Sequence, residues 1–63
     1  MTLRDFIEKT EGRIIFTLGV EVEGVRFYTR TDTNELVNSP MLNHTIINFH
    51  SSFDNGLFIV VKP

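Results

Sequence analysis

The chain has 63 residues, 41% of them hydrophobic with six Phe, no Cys, and six Lys or Arg against eight Asp or Glu for a net charge of −2. That length holds one domain, residues 1–63. It is rich enough in aromatics to fold, yet short enough to leave about 40% of its unfolded surface exposed, with no disulfide or thiolate-bound zinc to compensate. The missing basic excess argues against duplex DNA as a partner.

Residues 1–9 include Arg4, Asp5, Glu8 and Lys9 and carry no apolar run long enough for a signal peptide or a membrane span, so a cytoplasmic protein with no membrane partner is expected. Thr2 is placed to cap a helix with Asp5 at capping-box spacing, and Leu3, Phe6 and Ile7 form one apolar stripe. The pattern predicts a helix of about eight residues, stopped by Gly12 and too short to persist unless docked on a sheet.

From Arg13 the period becomes two. Ile14, Phe16, Leu18, Val20 and Val22 point one way, and Arg13, Thr17, Gly19 and Glu21 the other, with Ile15 among them. Glu23-Gly24 reads as a two-residue hairpin turn, which fixes the register by counting: Val20 faces Phe27, Glu21 faces Arg26, Gly19 faces Tyr28 and Thr17 faces Arg30. An ion pair at Glu21 and Arg26, and a Tyr28 ring covering bare backbone at Gly19, are consequences of that register.

Residues 31–38 begin with capping side chains, and Asp32 and Glu35 have capping-box spacing. A short second helix is predicted there, ended by Pro40, with Met41 and Leu42 turned into the core. A strand comes next over residues 44–53, with Thr45, Ile47, Phe49, Ser51 and Phe53 on one face and His44, Ile46, Asn48, His50 and Ser52 on the other. Asp54-Asn55-Gly56 is the strongest turn signal in the chain, and residues 57–62 form the returning strand. The expected architecture is α+β: helix, hairpin, short helix, hairpin, with a mostly antiparallel four-stranded sheet.

The last strand does not alternate, because Leu57, Phe58, Ile59, Val60 and Val61 are apolar on both faces. Parallel pairing would explain this but requires crossover helices that a chain of this length lacks. Either the short helix or Met41-Leu42 covers the second face, or another copy of the chain does, with Leu57, Ile59 and Val61 at the interface of a homodimer or larger oligomer.

Enzymatic signatures are missing: there is no nucleophile elbow, phosphate loop or dinucleotide fingerprint, and although His50, Ser51, Ser52 and Asp54 are the residue types of a hydrolytic triad, neighbours within a strand point to opposite faces and do not align as nucleophile, base and orienter. His44 and His50 on one strand stand about 20 Å apart, out of reach of a shared metal ion. No catalytic residue, metal or cofactor is assigned. The constellation with most chemistry is Arg26, Tyr28 and Arg30 on the outward face of the first hairpin, where two guanidiniums suit phosphate and a phenol ring suits a base. The plainer alternative is a set of cross-strand pairs, with Arg30 neutralising Asp32 or Glu35. Asn48 and His50 supply further donors and acceptors on the other hairpin.

Asn38-Ser39-Pro40-Met41-Leu42 and Val60-Val61-Lys62-Pro63, set in this order of elements, resemble small reading frames of phages, prophages and mobile elements of low-GC Gram-positive bacteria. The resemblance implies a counter-defence protein in the cytoplasm of a bacterial host. Such a protein would act as a homo-oligomer that sequesters a nucleotide-like immune signal. The alternatives are an inhibitor that caps a host defence enzyme through residues 57–61 and a structural or regulatory phage protein.

Overall fold

The computed structural model describes every residue from Met1 to Pro63, in the order α1 (Leu3–Glu8), β1 (Ile15–Val22), β2 (Val25–Asp32), a 3-10 turn (Pro40–Asn43), β3 (Thr45–Ser52) and β4 (Gly56–Lys62). The capping box at Thr2 forms in full: the Thr2 hydroxyl accepts from the Asp5 N–H at 3.2 Å, and the Asp5 carboxylate accepts from the Thr2 N–H at 3.0 Å. The helix ends at Glu8, ahead of Gly12, where the Thr10 hydroxyl donates to the Ile7 carbonyl at 2.9 Å and draws the chain off the axis. Docking is through Leu3, fully buried, and Phe6, which meets Phe16 edge-on at 6.0 Å.

The first hairpin has the register counted from its turn, with Val20 opposite Phe27, Glu21 opposite Arg26, Gly19 opposite Tyr28 and Thr17 opposite Arg30. Both turn residues have positive φ, 52° at Glu23 and 80° at Gly24, so the turn belongs to the class whose twist matches that of the strands.

The expected second helix is not there. Thr31 and Asp32 stay in β2, and residues 33–38 form turns. Asp32 does cap them, accepting from the Glu35 N–H at 2.9 Å, but the helix cannot propagate because its start is held in the sheet. The Thr33 N–H donates to the Ile14 carbonyl at 3.0 Å, the Thr33 hydroxyl accepts from the Ile14 N–H at 3.2 Å, and Asp32 is tied to Arg13 at 2.8 Å. Sheet pairing and an ion pair outcompete a weak local helix signal. Pro40 opens the 3-10 turn instead of closing a helix, with the Ser39 hydroxyl accepting from the Met41 N–H. The helix-hairpin-helix-hairpin layout is thus replaced by one short helix, a 3-10 turn and a sheet.

That sheet is mixed. Its order is β2-β1-β4-β3, with β1 and β4 parallel at the centre and antiparallel partners on either side. The two parallel strands come from different hairpins. The crossover that parallel pairing requires is therefore β2, the 33–44 connection and β3, with no helix of its own. Central placement accounts for the double-sided greasiness of β4: Ile59, Val60 and Val61 are all fully buried. Ile59 and Val61, expected at a subunit interface, sit in the chain's own core with Leu3, Phe16, Leu18 and Leu36, and Leu57 packs half-buried at its margin. Met41 packs against this core and Leu42 is buried, whereas Val60 lies on the opposite face beside Gly19, where the Tyr28 ring borders it. Neither a second helix nor a second copy is needed to sheath β4, and β4 offers no free edge for capping another protein.

A bulge at Ile47 shifts the β3 register between Ile46 and Asn48. Ile46 thereby pairs with Val61 and joins the core, whereas strict alternation grouped it with Asn48 and His50. No helix of the chain is long and apolar enough to cross a membrane.

Candidate functional site

Helix α1 and the 33–44 connection cover one face of the sheet. On the other face no element lies over the strands. β2 contributes Arg26, Tyr28 and Arg30, β1 contributes Thr17, Gly19 and Glu21, β4 contributes Phe58 and Val60, and β3 contributes Asn48 and His50. All five residues singled out as ligand-binding in the sequence therefore share one surface, although they come from the two outermost strands.

What joins them is Phe58, which sequence reasoning did not select. Its ring stacks on His50, with centroids 4.7 Å apart and planes 11° from parallel, and meets Tyr28 edge-on at 6.1 Å. The three rings form a row that crosses the sheet. Gly19 makes room for it: a Cβ there would lie 2.8 Å from Tyr28 Cε1 and 3.3 Å from Val60 Cγ2. The available signal was the apolar second face of β4, which has meaning only once β4 is known to lie beside β1, with Phe58 opposite Thr17.

Polar groups border the row. Arg30 donates through one guanidinium nitrogen to the Thr17 hydroxyl at 3.3 Å and to the Asn55 carbonyl at 3.0 Å, which pins the β3–β4 turn to β2; it does not pair with Asp32 or Glu35. Thr17, Tyr28, Arg30, Asp54, Asn55 and Phe58 line a shallow groove at this point. Arg26 binds the Glu21 carboxylate at 2.9 Å, and Glu21 first, then Tyr28, push the guanidinium further up, so its charge is fixed. His50 Nδ1 and Asn48 Oδ1 are 3.2 Å apart at the far end of the row.

His44 lies elsewhere, closing the 3-10 turn, where its carbonyl accepts from the Leu3 N–H. No group of three or more His, Asp or Glu side chains is arranged to hold a metal ion. The chain matches no protein-family model, no curated protein and no solved structure.

This face is shallow and combines aromatic rings with guanidinium donors. Ring edges and an exposed imidazole face offer contact to a flat heterocycle, and Arg30 keeps donors free for an anion after its two internal bonds, because a guanidinium carries five N–H groups. Asp54 repels an anion at the turn side of the groove. Arg30 lines that same end, so its guanidinium offsets the Asp54 carboxylate there, and Phe58 and His50 continue the cross-sheet row that starts at Arg30.

Proposed function

We propose that the chain is a non-enzymatic binding protein whose uncovered sheet face captures a small nucleotide-like ligand. The observation that carries this reading is the Tyr28–Phe58–His50 row with Arg30 at its border. Three rings in contact on an uncovered sheet face suit stacking, worth about 1–3 kcal/mol per base, and a charge-assisted bond to phosphate adds about 1.5–3 kcal/mol. The net charge of −2 favours a ligand with few phosphates over a long polyanion. Holding such a ligand without converting it lowers its free concentration, which is the sequestration that a phage-type counter-defence protein performs.

Calorimetric titration with a panel of cyclic and linear nucleotides tests the reading. Heat of binding is expected for at least one of them, and Arg30→Ala should weaken it tenfold or more, about 1.4 kcal/mol. Binding untouched by both Arg30→Ala and Phe58→Ser would remove this face from consideration.

A further inference from the structure

The two edges of the sheet are not alike. The outer edge of β3 is blocked at one end by residues 1–3: the Leu3 N–H donates to the His44 carbonyl at 3.0 Å, the Ile46 N–H donates to the Met1 carbonyl at 2.8 Å, and Thr2 bridges to Thr45. The Ile47 bulge then interrupts the edge just past this block. β2 has none of these protections. It is eight residues long, contains no Pro, pairs without a register shift, and has no segment along its outer side. Such an edge presents a row of unpaired N–H and C=O groups ready to accept another strand.

The turn determines which groups are free. The residues flanking a two-residue turn exchange both their hydrogen bonds, so Val25, Phe27, Thr29 and Thr31 bond inward to β1, a phase confirmed by the Thr33 N–H donating to the Ile14 carbonyl. Arg26, Tyr28, Arg30 and Asp32 consequently direct their backbone groups outward. On the core side of the same strand, Val25 is 53% and Phe27 62% exposed, two apolar side chains beyond the reach of α1.

We infer that the free edge of β2 pairs antiparallel with β2 of a second copy, with Phe27 directly opposite the partner's Phe27. Registers that keep corresponding faces on the same side differ by steps that charge can judge. Centring the pair on Tyr28 sets Arg26 against the partner's Arg30 twice, and centring it on Arg30 sets Arg30 against itself. Centring on Thr29 offers Arg26 the partner's Asp32, but that carboxylate is 4% exposed and already held by Arg13 and the Glu35 N–H. Centring on Phe27 has no such conflict. The two Phe27 rings cover one another at a non-hydrogen-bonded position, where side chains lie closest. Arg26 comes opposite the partner's Tyr28 for a cation–π contact, and Arg30 comes beside the partner's Glu23-Gly24 turn, next to an opposite charge. The pairing joins the two uncovered faces into one surface and adds the partner's Arg26 to each aromatic row. It rests on the edge and not on the ligand, so failure of nucleotide binding would leave it standing.

Light-scattering mass of the full chain is the test. The expected wild-type value is twice the 7.3 kDa of one chain. Phe27→Lys and Phe27→Glu should each run as folded single chains, because like charges then face each other at the two-fold axis, and an equimolar mixture should return to the doubled mass. Phe27 is exposed, so both variants should keep the wild-type circular dichroism spectrum. Should either variant misfold, amide exchange of the wild type decides: slow exchange at Arg26, Tyr28 and Arg30 supports the pairing, and fast exchange at all three overturns it. A single-chain wild-type mass, a Phe27→Lys protein that still doubles, or folded variants whose mixture stays single would also overturn it.

Discussion

Gly19→Ala probes the aromatic row where it is tightest. The new methyl would stand 2.8 Å from Tyr28 Cε1, 3.1 Å from Tyr28 Cδ1 and 3.3 Å from Val60 Cγ2. Val60 is fully buried between two ladders, whereas Tyr28 is 50% exposed, so the phenol ring is the group that yields, swinging outward about its first side-chain torsion. Its departure costs the edge contact with Phe58, on the order of 0.5–1.5 kcal/mol. An alanine in mid-strand recovers about 0.5–1 kcal/mol relative to glycine. The two contributions nearly cancel, and the variant should unfold within about 1 kcal/mol of the wild type. The chain has one Tyr and no Trp, so near-ultraviolet dichroism in the tyrosine band and tyrosine emission report this ring without interference. The expected result is a wild-type far-ultraviolet spectrum and denaturation midpoint with a collapsed tyrosine dichroism band and weakened nucleotide binding. An unchanged tyrosine signal would show that the ring does not lie on Gly19, and a loss of several kcal/mol would show that it cannot move aside.

Phe16→Ala empties the centre of the core, where Phe16 is fully buried against Phe6, and should cost roughly 3–5 kcal/mol, enough to unfold a domain of this size in a urea titration. Glu23→Asn should raise stability by about 0.5–1 kcal/mol in the same assay, because Glu23 holds a φ of 52° that asparagine tolerates better. Acid should destabilise the fold through Asp5 and Asp32. The Thr2 N–H holds the Asp5 carboxyl below its ordinary 3.8, and the Glu35 N–H, then Arg13, do the same for Asp32. The folded chain therefore binds fewer protons than the unfolded one. The stabilisation is complete above about pH 5 and is lost as pH falls through the ordinary carboxyl value and then the two lowered ones, so urea midpoints should drop there and Asp32→Asn should flatten the slope.

The parts of this fold that are legible in the sequence are those fixed by neighbours along the chain. One turn, Glu23-Gly24, determines the whole β1–β2 register, and with it the Arg26–Glu21 pair at 2.9 Å and the position of Tyr28 beside Gly19. The capping box at Thr2 is equally local. The mixed sheet is not legible, because β1 and β4 meet only after the intervening chain has returned, and no local pattern records which strand lies next to which. Apolar residues on both faces of β4 are the correct clue to a central strand, but taken alone they point equally to covering helices or a second copy. The second helix fails for the same reason: its first residues, Thr31 to Thr33, have partners in or beside β1 that are distant in sequence. The Ile47 bulge is invisible to a period of two, which puts Ile46 on the wrong face. Arg26, Tyr28, Arg30, Asn48 and His50 can be grouped by chemistry alone, whereas Phe58 needs the topology.

The proposed receptor is the uncovered face of the sheet. A backbone amide NMR titration with adenosine monophosphate, then with the nucleotide panel, addresses it most directly. The largest shifts should fall on Thr17, Gly19, Tyr28, Arg30, His50 and Phe58, spread over all four strands yet confined to one side of the sheet. Shifts centred on α1 and the 33–44 connection, or no shift with any nucleotide at saturating concentration, would contradict that assignment.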